Sequence, residues 1–217
     1  MKTKYTNIIV IGIILLAIII GIYFYPVLPD SMASHWNGNG VVNGHMPKFW
    51  GVFLMPLILI GMFLLLRYLP KLDPLRRNVD GFMGHYNIFI IIFALFLFYI
   101  YVLTLFFNIY TNAQNMFIYF APAFAILIYY CGILISNAKR NWFIGIRNPW
   151  TLSSDYVWKE THRLGGVLFK LVAILSLVGV FLPQLAMWFI LIPILIAVIG
   201  IMIYSYMVYK KENTIKK

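Results

Sequence analysis

Five stretches without a charged residue constrain the fold of this chain more than any other feature. A helix needs about 20 apolar residues to cross the core of a bilayer. Four of the stretches are about that long, whereas the fifth, Leu171 to Tyr209, is about twice as long. Pro183 and Gln184 offer a polar, helix-breaking place inside it, so we predict two helices there, over residues 165–182 and 186–209. The shorter stretches are Ile8 to Leu28, Phe49 to Leu66, Ile88 to Phe107 and Met116 to Ile135.

The composition excludes a water-soluble domain. Hydrophobic residues make up 63% of the 217 residues, charged residues make up 11%, and the mean hydropathy is +0.88. Such a chain has too few polar side chains to cover a soluble fold. In hydrocarbon every backbone polar group needs a partner within the protein, and long runs rich in Ile, Leu and Phe provide it as helices. The predicted fold class is therefore all-α: a polytopic membrane protein with a bundle of six transmembrane helices.

The basic residues predict the orientation of this bundle. With six spans, every one of the 17 Lys and Arg residues except Lys48 falls on one side, including Lys216 and Lys217 at the C-terminus. Positively charged segments stay in the cytoplasm, so both termini are predicted to be cytoplasmic and the protein to lie in the cell membrane. A cysteine placed at Asn39 or Asn112 should be labelled from outside, and one at Arg77 or Asn213 should not.

The net charge of +11 follows from the same distribution of basic residues. A basic membrane face attracts anionic lipid headgroups. The charge therefore predicts membrane lipids as partners and gives no support to direct nucleic-acid binding.

The outer loop over residues 28–48 contains three Asn-Gly pairs, which favour tight turns. We expect a compact loop, with a short hairpin as one possible form. Its bulky or reactive side chains, His35, Trp36 and Lys48, are the candidate ligand-binding residues on the outside. His35 and His45 have no carboxylate or cysteine partner at a usual ligand spacing, so no metal site is expected. A docking surface for an extracellular peptide and a structural cap over the bundle both remain open.

The cytoplasmic loop over residues 136–166 ends in a segment with helical spacing. Ser153 or Ser154 can cap a helix, and Trp158 and His162 lie one turn apart on one face of it. The polar face carries Asp155, Lys159 and Arg163. We therefore predict an amphipathic helix on the cytoplasmic membrane surface, just before the fifth span. It is either a connector that orients the last two spans or part of a contact surface.

The same residues resemble those of a known family. Residues 144–154 read IGIRNPWTLSS, followed by VWK at 157–159 and THRLGG at 161–166, and together they closely resemble the signature of the SdpI family of bacterial membrane proteins. The family pattern often has Thr where this chain has Asn148. In the outer loop, LPD at 28–30 and HWN at 35–37 resemble the small membrane domain of unknown function that commonly precedes this signature.

This resemblance implies two membrane units. The first, residues 1–70, contains two helices and the outer Asn-Gly loop. The second, residues 71–217, contains four helices and the cytoplasmic signature loop, residues 136–166. The candidate patch in this loop consists of Arg147, Trp150, Thr151, Trp158 and His162.

The resemblance also implies a function, which is immunity against a secreted, membrane-active toxin peptide. A second implied role is signal transduction, in which a cytoplasmic transcriptional repressor is held at the membrane. On this view the outer residues contact the toxin, and the signature patch couples toxin binding to an inner partner or maintains the working conformation of the bundle.

Catalysis has no candidate residues in this sequence. The chain has only six Asp and Glu residues, none inside a predicted span, and it lacks H-E-x-x-H, G-x-S-x-G and phosphate-binding glycine motifs. We expect no enzyme activity and no cofactor. The alternative function is a small-solute transporter or channel, in which Thr104, Asn108 and Ser176 line a path. Arg67 and Lys170 lie near cytoplasmic helix ends and are expected to extend out of the membrane rather than to couple ions.

Overall fold

The computed structural model of the protein describes residues 1–110 and 116–215. These residues contain six helices that are long and apolar enough to cross a membrane, so the predicted polytopic helical fold is confirmed. Asn112, Lys216 and Lys217, which the topology prediction used, lie outside the described residues. In chain order the elements are α1 (Thr3–Phe24), β1 (Ser31–Trp36), β2 (Val42–Pro47), α2 (Lys48–Tyr68), α3 (Arg76–Asp80), α4 (Met83–Ile109), α5 (Met116–Asn137), α6 (Pro149–Ser153), α7 (Asp155–Val178) and α8 (Ala186–Ile215).

The two ends of the bundle differ in structure. At one end β1 and β2 form an antiparallel hairpin between α1 and α2. The turn between α7 and α8 lies at the same end, because the sulfur of Met187 packs over Gly38 in the hairpin loop. We call this the hairpin end. The opposite end, the signature end, carries α3, α6 and the described residues of both termini.

The core of the bundle is continuous from α1 and α2 to α4. Val10 and Ile13 of α1 are buried in the same apolar cluster as Leu59 of α2 and Ile90 and Ala94 of α4. A second cluster lies nearer the hairpin and contains Ala17, Leu28, Met32, Val52, Tyr101 and Leu105. Helix α4 thus joins the two predicted units, 1–70 and 71–217, and their division stays a prediction.

The second half of the bundle depends on a close contact between α5 and α7. A β-carbon on Gly132 would lie 2.8 Å from the carbonyl oxygen of Gly166, and one on Gly166 would collide with Ser136 Oγ. Small residues let membrane helices approach this closely, and the gain is van der Waals contact along both backbones. The two glycines therefore set the distance between the fourth and fifth spans.

The predicted surface helix before the fifth span is not a separate element. Helix α7 is continuous from Asp155 to Val178, with no interruption at Gly165 and Gly166. In the first turns of α7 the side chains of Val157, Trp158, Thr161 and His162 are buried against the rest of the signature loop. The amphipathic segment is the start of the fifth span, and the short α6 precedes it.

Candidate functional site

The hairpin is fixed to the bundle by a polar side chain at the end of α4. Asn108 Oδ1 accepts a hydrogen bond from the Ala33 amide at 2.7 Å, and Asn108 Nδ2 donates to the Ala33 carbonyl at 3.0 Å. The amide thereby pairs with β1 as a neighbouring strand would. Met32, the residue before Ala33, is fully buried and lies against Gly51 at the start of α2. The hairpin is therefore a docked part of the fold.

Lys48 is the least available of the three predicted outer residues. Its ammonium lies 3.0 Å from Asp30 Oδ1 and 5.4 Å from the centroid of the Tyr25 ring, and its side chain is 18% exposed. The Lys48 amide also donates to the Asp30 carbonyl at 2.8 Å. Lys48 thus closes the base of the hairpin.

His35 and Trp36 lie at the end of β1. The Trp36 ring packs edge-on against Phe107 of α4, with ring centroids 6.1 Å apart, and is partly buried. His35 is exposed, and its Nδ1 forms a hydrogen bond with Asn43 Oδ1 across the hairpin. The structure therefore places His35 and Trp36 on β1 and Lys48 at the start of α2, at the base of the hairpin, with His35 the most accessible.

Asn141 organises the signature loop at the opposite end. It is fully buried, its Oδ1 accepts hydrogen bonds from the amides of Phe143 and Ile144, and its Nδ2 donates to the carbonyls of Lys139 and Ile144. One side chain thus satisfies four backbone groups that a tight, non-helical turn would otherwise leave unpaired. Asn141 was not among the residues predicted from the sequence. A polar amide four residues after a span, followed by the apolar run Trp142 to Ile144, is the signal that was available.

A second connection joins the loop to the segment between α2 and α4. The buried carboxylate of Asp73 accepts a hydrogen bond from the Trp142 amide at 2.8 Å and one from the Leu75 amide at 2.7 Å. Asn78 Nδ2 donates to the Arg140 carbonyl at 2.8 Å. These contacts tie the signature loop to the first half of the bundle, and neither residue was predicted to take part.

His162 and Trp158 form the centre of the signature end. Their rings stack as predicted, with centroids 3.9 Å apart and planes 17° apart, and both side chains are buried. The indole of Trp158 donates to the Ala138 carbonyl at 2.7 Å. His162 Nε2 accepts from the Ile146 amide at 3.0 Å, so its Nδ1 carries the proton and donates to the Trp158 carbonyl at 2.8 Å. The imidazole is therefore held as one neutral tautomer between two backbone groups.

Gly145 makes that contact possible. Its φ is +119°, a backbone conformation that residues other than glycine rarely adopt. A β-carbon at this position would also lie 2.5 Å from His162 Nε2. The glycine in the signature is thus required by the backbone turn and by the approach of the imidazole.

Asn148 and Thr151 form a capping box at the start of α6. Each side chain accepts a hydrogen bond from the other residue's amide, at 2.9 Å and 3.0 Å. Asn148 Nδ2 also donates to Ser205 Oγ of α8 at 2.8 Å. A threonine at 148 can cap the helix, but its single hydroxyl does not also supply an amide donor toward α8. The departure from the family pattern therefore adds a link to the last span.

The remaining two predicted residues lie at the margin of this unit. Arg147 is exposed, and its Nη1 donates to the Trp142 carbonyl at 2.6 Å. Trp150 packs against Tyr206 of α8, with ring centroids 5.2 Å apart. The structure thus brings Thr151, Trp158 and His162 into one hydrogen-bonded unit, with Arg147 and Trp150 beside it.

A polar cleft of about 430 Å³ opens next to the His162–Trp158 stack. Arg140 lies at its wall, with Nε 2.8 Å from Asp155 Oδ1 and Nη1 donating to the Leu152 carbonyl at 3.0 Å. The exposed side chains of Lys139 and Lys159 also line the cleft. Its lining contains three basic side chains and one carboxylate, so its charge favours an anionic group.

The polar groups considered for a transport path are engaged inside the protein. Thr104 Oγ1 donates to the Ile100 carbonyl and Ser176 Oγ to the Ala173 carbonyl, within their own helices. Asn108 is bonded to the hairpin. Over residues 1–110 and 116–215 there is also no cluster of three or more His, Cys, Asp or Glu side chains that could hold a metal ion.

Comparison with known proteins matches both halves of the chain. Residues 137–205 match the SdpI/YfhL protein family, and residues 12–60 match a domain of unknown function, DUF1648. Immunity protein SdpI of Bacillus subtilis (strain 168) is 26% identical over 208 residues, which cover 95% of this chain and 97% of that protein. No solved structure matches. The fold is that of a multi-pass membrane protein, and the chain is similar to the SdpI family in its signature loop and to an immunity protein of that name along nearly its whole length.

Proposed function

We propose that this protein protects a cell from a secreted, membrane-active toxin peptide. The observation that carries the proposal is the similarity to an immunity protein along nearly the whole chain, including both the hairpin and the signature loop. A likeness confined to apolar helices would carry less weight, because many unrelated membrane helices share that composition. Here the polar segments at both ends of the bundle are also part of the match.

The orientation that we propose places the hairpin end outside the cell. Among the described residues, Lys48 at the base of the hairpin is the only Lys or Arg at this end, and its charge is paired with Asp30. The signature end carries the other Lys and Arg residues of the described chain, so the rule that basic segments stay inside assigns it to the cytoplasm.

The proposed protective step is binding of the toxin at the hairpin end. A peptide that reaches the outer leaflet meets His35 and the exposed edge of Trp36 on a hairpin that is already docked on α4. Because Asn108 and Lys48 hold this hairpin in place, little conformational entropy is lost when the toxin binds. Sequestration at this surface keeps the peptide from permeabilising the bilayer.

The signature end is proposed to maintain the working conformation and to transmit the bound state. Its hydrogen bonds link the segment after α2 to α5, α7 and α8, so a movement of one span displaces the others. The cationic cleft beside His162 offers a contact for an acidic surface of a cytoplasmic transcriptional repressor. This partner is proposed from the family resemblance and from the charge of the cleft.

The test is expression in a toxin-sensitive bacterial host, followed by challenge with a panel of secreted membrane-active peptides. We expect survival and an unchanged membrane potential with at least one peptide, relative to cells that carry an empty vector. Sensitivity equal to that of the vector, at confirmed protein levels in the membrane and across the panel, contradicts immunity. Solute uptake by proteoliposomes in the absence of protection favours the transporter alternative instead.

The outer residues need matched variants, because Lys48 also closes the hairpin. Alanine at His35, Trp36 and Lys48 together should abolish protection while leaving the protein level unchanged. Asp30→Asn removes the ion pair but keeps the ammonium, so it separates the structural role of Lys48 from toxin contact. If Asp30→Asn alone reproduces the loss, Lys48 acts through the fold. If the triple variant still protects, the hairpin is only a structural cap.

A further inference from the structure

An apolar furrow runs along the lipid-facing side of the bundle between α5 and α7. It has a volume of about 280 Å³ and is lined by Ala125, Ile126 and Tyr129 on one side and by Ala173 and Ile174 on the other. The α5 and α7 backbones are held close together at Gly132 and Gly166, nearer the signature end. The furrow opens beyond this contact, where the side chains no longer fill the space between the helices.

The furrow continues toward the hairpin end. A second apolar cavity, of about 490 Å³, shares Ile92 and Ile126 with the first and extends past Pro122 to Tyr99 and Val102. The lining of both cavities is almost entirely hydrocarbon and aromatic ring. Together they form one elongated groove that follows the helix axes, as an acyl chain in a bilayer does.

One cation stands at the signature-end rim of this groove. Lys170 lies on the same face of α7 as the lining residues Ala173, Ile174 and Leu177, at the helical spacings of three, four and seven residues. Its Cγ packs where a side chain at Gly132 would lie, and its Nζ is 5.9 Å from the centroid of the Tyr129 ring.

Lys170 has no carboxylate partner in the described part of the chain. The ion pairs found there are Lys48–Asp30, Arg140–Asp155 and Arg163–Glu160. Gly132, which lies beside Lys170, is five residues from the end of α5, or about 7–8 Å along the axis. A lysine at that depth extends its ammonium toward the headgroup layer, where an anion can neutralise it.

We propose that this groove is a specific binding site for one anionic phospholipid. The lipid phosphate pairs with Lys170, and one acyl chain occupies the groove toward the hairpin end. A ligand with one anionic head and an apolar tail matches a groove with one cation at its rim and hydrocarbon along its length. A peptide would bring backbone polar groups into the groove. The Tyr130 hydroxyl there already donates its hydrogen bond to the His85 carbonyl, so it is not available to pair with them.

Native mass spectrometry of the purified full-length protein tests the site. The probes are phosphatidylglycerol and phosphatidylcholine with identical acyl chains, titrated separately. We expect one phosphatidylglycerol to bind at least about fivefold more tightly than phosphatidylcholine, given the contribution of one basic residue to headgroup binding. Lys170→Gln should abolish this preference and Lys170→Arg should retain it, while Lys159→Gln, at an exposed lysine of the same helix, should leave it unchanged.

A second variant tests the tail of the lipid. Ile126→Trp fills the point that both cavities share, so it should weaken binding of both lipids even though Lys170 is intact. Thermal unfolding of each variant shows whether the fold is retained. Equal affinity for the two lipids in the native protein, or an unchanged preference in Lys170→Gln, overturns the proposal. Displacement by glycerol phosphate without an acyl chain also overturns it, since the site is then one for a free anion.

Discussion

At the scale of single residues, His162 is the centre of the signature end because each ring nitrogen has one backbone partner. The ring also stacks on Trp158, whose indole fixes the end of α5 through the Ala138 carbonyl. A buried amide that loses its acceptor keeps the full cost of its desolvation. Substitutions at His162 therefore separate the stacking contribution from the hydrogen-bonding contribution.

We predict that His162→Phe destabilises the protein by about 1–3 kcal/mol, because it keeps a ring against Trp158 but leaves the Ile146 amide unpaired. His162→Gln places an acceptor oxygen near the position of Nε2 and should recover part of the loss. Thermal unfolding in detergent, monitored by tryptophan fluorescence, measures the stability of both variants. Equal midpoints for the Phe and native proteins would show that the Ile146 contact does not contribute.

Arg147 tests recognition at the signature end. Lysine keeps the positive charge but lacks the planar guanidinium that donates to the Trp142 carbonyl. We expect Arg147→Lys to impair immunity or signalling while membrane insertion, measured by fractionation, stays normal. Trp158→Phe serves as the companion variant, since it removes the donor to Ala138. If both changes are silent, the signature patch is a folding element and its functional role is withdrawn.

The sequence predicted part of this site for a clear reason. The four-residue spacing of Trp158 and His162 is a local property of a helix, so their stacking could be derived from the sequence. The partners of His162 could not, because they depend on a loop that Asn141 folds and on the positive φ of Gly145. For the same reason the hydrogen bond between Asp73 and Trp142, which are 69 residues apart, could not be predicted.

At the scale of elements, the contact of α5 with α7 positions the whole signature end. In a membrane helix, adjacent glycines such as Gly165 and Gly166 permit either a bend or a close helix contact. The structure shows the close contact, and α7 runs through both glycines without interruption. The structure does not confirm the predicted surface helix, because the fold buries Trp158 and His162 against the signature loop.

We predict that Gly166→Ala destabilises the bundle by about 1–3 kcal/mol, because the added methyl group meets Ser136 and the Gly132 carbonyl. Gly200→Ala is the matched control on α8, since a β-carbon there would meet no neighbouring side chain or element of the described chain within 4 Å. The control should be neutral or slightly stabilising. Thermal unfolding in the same detergent compares them, and similar effects from the two substitutions would contradict the close packing of α5 and α7.

The whole molecule is asymmetric between its two ends. The hairpin end has a docked hairpin with one paired lysine, and the signature end has a hydrogen-bonded loop with a cationic cleft. The number of spans was predictable, because hydropathy acts over long segments, whereas the membrane side of each loop stays a prediction from the charges. The docking of the hairpin on Asn108 was not, because it joins residues 75 positions apart.

The orientation is tested by cysteine labelling in a Cys131→Ala background. A membrane-impermeant thiol reagent applied to intact cells should modify a cysteine at Asn39 and should not modify one at Arg77 or Asn213. Lysed cells provide the positive control for the two inner positions. Labelling of Arg77→Cys in intact cells would reverse the proposed topology.

Site-specific photo-crosslinking during toxin challenge tests whether the hairpin end captures the toxin. A photoreactive residue is placed at Asn39 on the hairpin or at Arg77 at the signature end, in cells that the protein protects. We predict a covalent adduct with the toxin at position 39, none at position 77, and loss of the adduct when His35, Trp36 and Lys48 are replaced by alanine. Protection with no adduct at the hairpin, or with an adduct only at position 77, would contradict the account.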